Sequence, residues 1–331
     1  MSTASFLLTV TTSWGAVTDK CDKEKERPKL NIAEVAAKEL RETPATRDQA
    51  LRIMREWIQQ NNDIRNVRTD DCFLLRFLRQ KKFSIPMAQQ TLLKYLSLKK
   101  YYLEYFTNLD CEDPKLEEIL RNGYIAVSPV RDASGRRVIV YNMGKFNALK
   151  FNCWDMCRAH VLVYETLLED PMNQVCGFTH VGDGSGASAA HVITWNPSDF
   201  ARLMKWGEQS MPMRHKEFHI VNAPSALKYI IDFAVSKVTP KMAQRLHIHT
   251  NLKQLHKQMD TSCLPTIYGG PIPLQDMIEF TRQLLSDQRK KVLGLDDMEL
   301  LNTRGIISSR QKSTNGDIQS VQGSFRKLEI D

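Results

Sequence analysis

The chain has 331 residues, of which 42 % are hydrophobic and 25 % charged. These are globular values, and the length suits one large domain with a smaller one. No run of about 18 apolar residues occurs, which excludes a transmembrane helix. Residues 5–10 are too short and lack the basic start of a secretory leader. The net charge of +8 calls for an anionic partner, nucleic acid or anionic lipid. Basic runs interleaved with aromatics, and any nucleic-acid module, are missing. The cations instead sit in small clusters beside apolar segments, which favours a membrane surface. Seven scattered cysteines without a C-x-x-C pair indicate a reducing compartment and free thiols, not disulfides or zinc.

In chain order, residues 1–45 read as a flexible lead-in, with a short helix possible over 31–42. Residues 46–110 read as a small helical domain. Leu51, Met54, Trp57 and Ile58 share one face of a helix over 47–60. Thr69 or Asp70 caps the next helix, which carries Phe73, Leu74, Phe77 and Leu78. Ser84-Ile85-Pro86 opens a third, with Ala88, Leu92, Tyr95, Leu96 and Leu98 behind it.

The grammar changes over 111–285. Asn122-Gly123 ends a short helix, and strands over 124–129 and 137–142 are joined by a turn at 132–135. A helix over 152–168, a strand over 174–181 and a helix over 198–209 follow, the last with Phe200, Leu203 and Trp206 inward. Then come a strand over 218–221, an apolar helix, a strand over 246–249 and a helix over 252–259. Strands alternating with helices define an α/β layer with a largely parallel sheet. Residues 286–331 read as a mostly disordered tail, with a short helix possible over 293–301.

The apolar helix is the most informative element. Leu227, Ile230, Ile231, Ala234, Val235 and Val238 recur at helical spacing, and Tyr229 and Phe233 add a second stripe. Two apolar faces suit a helix buried on both sides, or one that covers a cavity and meets a membrane. Cations flank it: Arg214 and Lys216 share a strand face, and Lys241 and Arg245 are four apart.

Other chemistries fit less well. Gly182 to Ala187 matches G-x-G-x-x-A, but it lies mid-chain and lacks the acidic partner of a dinucleotide loop. Neither Ser185 nor Ser188 sits in G-x-S-x-G. His247 and His249 share a strand face, but nothing at regular spacing supplies a third metal ligand. The expectation is a non-catalytic protein without cofactor or metal.

Four ordered segments carry a resemblance: D-C-F-L-L-R-F-L-R-Q-K-K from Asp71, H-I-V-N-A-P from His219, R-L-H-I-H-T from Arg245 and L-P-x-x-Y-G-G from Leu264. Together these resemble the CRAL-TRIO (Sec14-like) lipid-binding family, in the branch of α-tocopherol transfer protein, retinaldehyde-binding protein and clavesins. The resemblance implies a lid helix over a hydrophobic cavity, preceded by a small all-α domain. It implies transfer of a tocopherol, retinoid or other isoprenoid lipid between membranes by a monomer in the cytoplasm, visiting endosomal or other phosphoinositide-bearing membranes. The alternative is a phosphoinositide-binding adaptor without specific cargo. Head-group cations are implied at Lys81, Arg214, Lys241 and Arg245, with Lys216 beside them. Facing and position in the resemblance place the pocket wall at Ile125, Val127, Ile139, Tyr141, His160, Val161, Tyr164, Phe178, Val181, Leu203, Ile220, Ile230, Ile231, Ala234 and Val238. Asp183 and Gly186 fit the family pattern. Gly182 and Gly184 stand where bulky apolar residues are usual, so the wall is expected to be larger or looser there.

Overall fold

The computed structural model describes residues 30–194 and 197–306. The amino-terminal part is helical: α1 Ile32–Leu40, α2 Pro44–Gln60, α3 Asp71–Gln80, α4 Ile85–Tyr101 and α5 Leu103–Phe106, with a two-residue strand β1 Ile64–Arg65 between α2 and α3. Local chemistry sets these starts. The Asp70 carboxylate accepts from the Phe73 amide at the mouth of α3, and Thr43 and Thr46 form a reciprocal cap on α2. Phe73, Phe77 and Tyr95 pack edge to face at the centre of this layer.

The second part is an α/β layer. In order it contains α6 Pro114–Arg121, β2 Ile125–Val127, β3 Arg137–Asn142, α7 Cys153–Leu167, α8 Pro171–Cys176, β4 Phe178–Asp183, α9 Ala189–Thr194 and α10 Pro197–Gln209. It continues with β5 His215–Val221, α11 Ser225–Val235, α12 Pro240–Ala243, β6 Leu246–His249, α13 Leu252–Gln258, α14 Leu274–Leu293 and β7 Glu299–Leu300. The sheet order is β2-β3-β4-β5-β6. β2 is antiparallel to β3, and the other pairs are parallel. One face buries Ala126, Val138, Val140, Val181 and Val221 against Leu255, Met277 and Ile278 of α13 and α14. The other face carries the site.

Three boundaries differ from the sequence reading. The strand expected from Gln174 begins at Phe178, because Asp170 and Pro171 start a helix that runs to Cys176. Gly177 breaks it at φ 86, where a Cβ would stand 2.4 Å from the Arg214 carbonyl. The apolar helix stops at Val235, so Val238 lies in the turn before Thr239 and Pro240 cap α12. Finally, residues 286–306 are built into the fold rather than forming a loose tail. α14 runs unbroken through position 286, and Val292, Leu295, Met298 and Leu300 are buried. A single 3₁₀ turn over Gly294–Asp297 replaces the helix considered over 293–301, and Leu300 then pairs with Ile64 across β7 and β1. Sparse apolar residues in a polar stretch hid this return. The rest of the expected tail, 307–331, lies outside the described residues.

Candidate functional site

A cavity of about 220 Å³ lies between the sheet and helices α7, α10 and α11. Register decides which side chains reach it. Ile139, His180, Phe218 and Leu246 form one row across the sheet, and Tyr141, Gly182 and Ile220 form the next. Of the expected wall, Tyr141, His160, Val161, Tyr164, Leu203, Ile220, Ile231 and Ala234 line the cavity. Ile125, Val127, Ile139 and Phe178 are buried in the core cluster on the same side but are not part of the lining. Ile230 is buried without lining it, and Val238 is half-buried outside it.

Val181 is a correction: it faces α13 and α14 on the opposite side of the sheet. Phe178 and Val181 are three apart, and strand side chains alternate, so they cannot share a face. The same alternation from Phe178 points to His180 and Gly182, both of which line the cavity. His215 was less accessible to that reasoning. The register shifts at the start of the β4–β5 pair, so that Phe178 faces His215 while Thr179 faces Glu217. This bulge puts His215 on the same side as Phe218.

The cavity wall is largely apolar, with Trp206 and His219 also among its lining, and a hydrogen-bonded line of polar side chains runs along it from Tyr124, which itself does not line the cavity. Tyr124 Oη is 2.8 Å from His160 Nε2, and His160 Nδ1 is 3.2 Å from Tyr164 Oη. Tyr164 Oη is 2.8 Å from Tyr141 Oη, which is 2.8 Å from His180 Nδ1. His180 Nε2 is 2.9 Å from His215 Nδ1. The His180 ring also stacks on Phe218 at 4.3 Å. Burial disfavours the charged imidazoles and lowers His160 and His215 to about 4. Burial first, and then the neighbouring histidines, put His180 well below its usual value. Burial also raises Tyr124 and Tyr141 well above theirs. The line is therefore uncharged at neutral pH.

The glycine segment divides by role. A Cβ on Gly182 would meet only the His219 carbonyl, at 4.0 Å, so this position opens the wall. A Cβ on Gly184 would stand 2.9 Å from Ala223 Cα and 3.0 Å from the Asn222 carbonyl. Gly184 thus lets two backbones approach and does not enlarge the pocket. Gly186, at φ 77, packs on Gly144 in the same way.

The β6 histidines are tied to β5. His249 Nε2 is 3.0 Å from His219 Nδ1, and His247 stacks on His219 at 5.1 Å. Among the described residues no group of three His, Cys, Asp or Glu is arranged to hold a metal.

α11 covers the cavity with Leu227, Ile231, Ala234 and Val235. Tyr229 faces away and is 66 % exposed. The cations gather beyond its end. Arg214 Nη2 and Lys216 Nζ both donate to Glu39 of α1, at 2.7 and 2.6 Å. Arg245 donates to the His215 carbonyl. Burial, then the positive fields of Arg214 and Arg136, lower its pKa. Lys81 is lowered by burial and by Lys94 and Lys241. Because α12 ends at Ala243, Lys241 and Arg245 do not share a helical face. The electrostatic neighbours divide instead into Lys81 with Lys241 and Arg214 with Arg245, with Glu208 acting on both Lys81 and Arg245.

A mixed sheet with a covered apolar cavity on one face, behind a helical layer, defines a lipid-binding α/β domain of the CRAL-TRIO type. The CRAL/TRIO domain model matches residues 121–270. The chain is 32 % identical to clavesin-1 of Xenopus laevis over 248 residues, covering 75 % of each chain. It is 30 % identical to clavesin-2 of Homo sapiens over 256 residues, 77 % of this chain and 78 % of that one. The crystal structure of Sfh5 is similar with a TM-score of 0.49 and 13 % identity, covering 76 % of this chain and 99 % of that one. The chain belongs to the CRAL/TRIO family. No described helix is long and apolar enough to cross a membrane.

Proposed function

We propose that this chain binds a hydrophobic small molecule, of the tocopherol, retinoid or other isoprenoid class, and transfers it between membranes without catalysis. Phosphoinositide head groups are bound at Lys81, Arg214, Lys216, Lys241 and Arg245, which directs the monomer from the cytoplasm to endosomal or related membranes. The observation that carries this reading is the position of α11, which covers the cavity and lies in the chain between Arg214 and Lys216 before it and Lys241 and Arg245 after it.

Magnitudes assign the roles. Burial of ~400 Å² of apolar ligand surface is worth on the order of 10 kcal/mol before association costs. Each cation near an anionic membrane contributes about 1 kcal/mol. The cavity therefore holds the cargo, and the cations choose the membrane. Lifting α11 exposes an apolar face, which is tolerable where lipid replaces the cargo.

Native mass spectrometry after incubation with a mixed lipid extract and re-purification tests the carrier. A single stoichiometric apolar ligand supports it. An empty cavity, with vesicle binding intact, favours an adaptor without specific cargo. Charge reversal at Lys241 and Arg245 is expected to abolish the preference for phosphoinositide-bearing acceptor vesicles.

A further inference from the structure

We infer that the space left by Gly182 is a notch for the ring of a ring-headed isoprenoid lipid, and that it selects such a lipid over a linear one. This rests on the carrier reading above and adds which part of the cargo lies where.

Gly182 is a glycine for neither of the usual reasons. Its φ is not positive, so the backbone conformation does not require it. A Cβ there would meet nothing closer than the His219 carbonyl at 4.0 Å, so no second backbone requires it either. The other glycines of the segment differ: Gly186 has φ 77, and a Cβ on Gly184 would stand 2.9 Å from Ala223 Cα. Gly182 lines the cavity on the middle strand of the sheet, paired with Tyr141 of β3 and Ile220 of β5. What glycine supplies at this position is room.

The neighbours do not take that room back. Tyr141, directly across from Gly182, stacks on His180 with centroids 5.9 Å apart and planes 14° apart, and its hydroxyl lies 2.8 Å from His180 Nδ1. Its ring is thus held toward the residue two positions earlier on β4. At the other end Leu227 of α11 closes over Gly184, 3.2 Å from where that residue's Cβ would be. Ile220 stands on the far flank. The result is a slot floored by the β4 main chain, with Tyr141 and Ile220 at its sides and His180 and Leu227 at its ends.

The dimensions suit a ring. β3 and β5 lie two strand spacings apart, ~9.6 Å. A flat ring needs carbon neighbours about 3.5–4.0 Å from each face, or roughly 7–8 Å between its walls. A linear isoprenoid has no group of that depth. Its methyls reach the mouth of the slot and leave the floor bare, and an empty apolar void is destabilising in proportion to its volume. Much of the remaining lining accepts a chain without selecting it. Met143, Met156, Met204, Met211 and Met242 line the cavity, and unbranched thioether side chains adapt to many shapes. Shape discrimination therefore falls to the slot, which is bounded by strand backbone and stacked rings.

Affinities of the full chain for two matched pairs test this, read by tryptophan fluorescence because Trp206 lines the cavity. α-Tocopherol is paired with phytol, its side chain without the ring, and retinol with geranylgeraniol, a linear alcohol of equal carbon count. The ring-headed member is expected to bind about tenfold more tightly on at least one skeleton. Gly182→Val is expected to erase that margin, the ring-headed probe losing about tenfold more than its linear partner, and Gly182→Ala to erase part of it. The alanine variant carries the comparison if the valine variant unfolds. No margin in the unaltered chain, or a margin that survives both substitutions, overturns the notch while leaving a carrier. Failure of all four probes to bind counts against the carrier reading and this inference together. A second readout places the ring directly. Nuclear Overhauser contacts are expected between the ring methyls of the bound ring-headed probe and the Ile220 methyls. Contacts to Ile220 from the chain methyls alone overturn the placement.

Discussion

Glu39 on α1 accepts hydrogen bonds from Lys216 at 2.6 Å and from Arg214 at 2.7 Å, so one carboxylate engages both Lys216 of β5 and Arg214 just before it. Hydrogen bonds and the field of the same two cations lower its pKa against a desolvation that acts to raise it. Under the proposed function, an arriving phosphate competes with this group. Glu39→Gln removes the competing charge and keeps the shape. Its side chain is 42 % exposed, so the gain is screened and modest, roughly threefold in affinity for phosphoinositide vesicles. Vesicle sedimentation at two salt concentrations measures it. Unchanged affinity would mean that phosphate does not bind at Arg214 and Lys216.

Much of this architecture was readable from residues alone. Asp70, Pro86 and the turn at 132–135 announced their elements, because capping and turn chemistry act within a few residues. The parallel sheet followed from alternation of strand and helix. What stayed hidden depended on distant partners. Val181 was put on the cavity side although parity with Phe178 forbids it, and the same parity would have offered His180 and Gly182. His215 reaches the cavity through a bulge that no local pattern marks. Glu39 lies in a segment read as a lead-in, and its pairing with Arg214 and Lys216 spans more than half of the chain. The return of residues 286–306 rests on four well-spaced apolar side chains, too few for periodicity to register.

Arg76 joins the helical layer to the wall of the cavity. It is fully buried and donates to Glu165 at 2.8 Å and to Glu169 at 2.5 Å, while Tyr95 donates to the other oxygen of Glu165. Arg76→Ala strands one buried carboxylate and weakens the hold on another. The expected cost is about 3–5 kcal/mol, read as a shift of the urea midpoint. The double variant Arg76→Met with Glu165→Gln is expected to recover part of it, because no bare buried charge remains at Glu165. If the single variant lost less than about 1 kcal/mol, the ion cluster would not be what holds α3 to α7.

Two neighbouring glycines are expected to respond in opposite ways. Gly182→Val adds a side chain to open wall and should leave thermal stability within about 1 kcal/mol, while lowering affinity for a bulky apolar ligand about tenfold. Gly184→Ala drives a Cβ into the backbone of 222–223 and should cost about 1–3 kcal/mol. Ligand titration and thermal melting of both variants separate the roles. A stable Gly184→Ala would contradict the close approach of the two backbones.

The buried histidines make stability depend on acidity in a definite direction. His160 and His215 titrate near 4 in the folded chain, against about 6.5 when unfolded. Below about 6.5 the unfolded chain takes up protons that the folded chain refuses, so stability is present above that pH and is lost as pH falls toward 4. Each of the two contributes a slope of up to about 1.4 kcal/mol per pH unit in that window, and His180 acts in the same direction. Urea unfolding at pH 8, 7, 6 and 5 is expected to show stability nearly level from 8 to about 7 and then falling with increasing slope. His160→Gln, which keeps a neutral hydrogen-bonding group, should remove one share of the slope. A profile flat down to pH 5 would require these imidazoles to accept protons inside the fold, which an apolar cavity wall opposes.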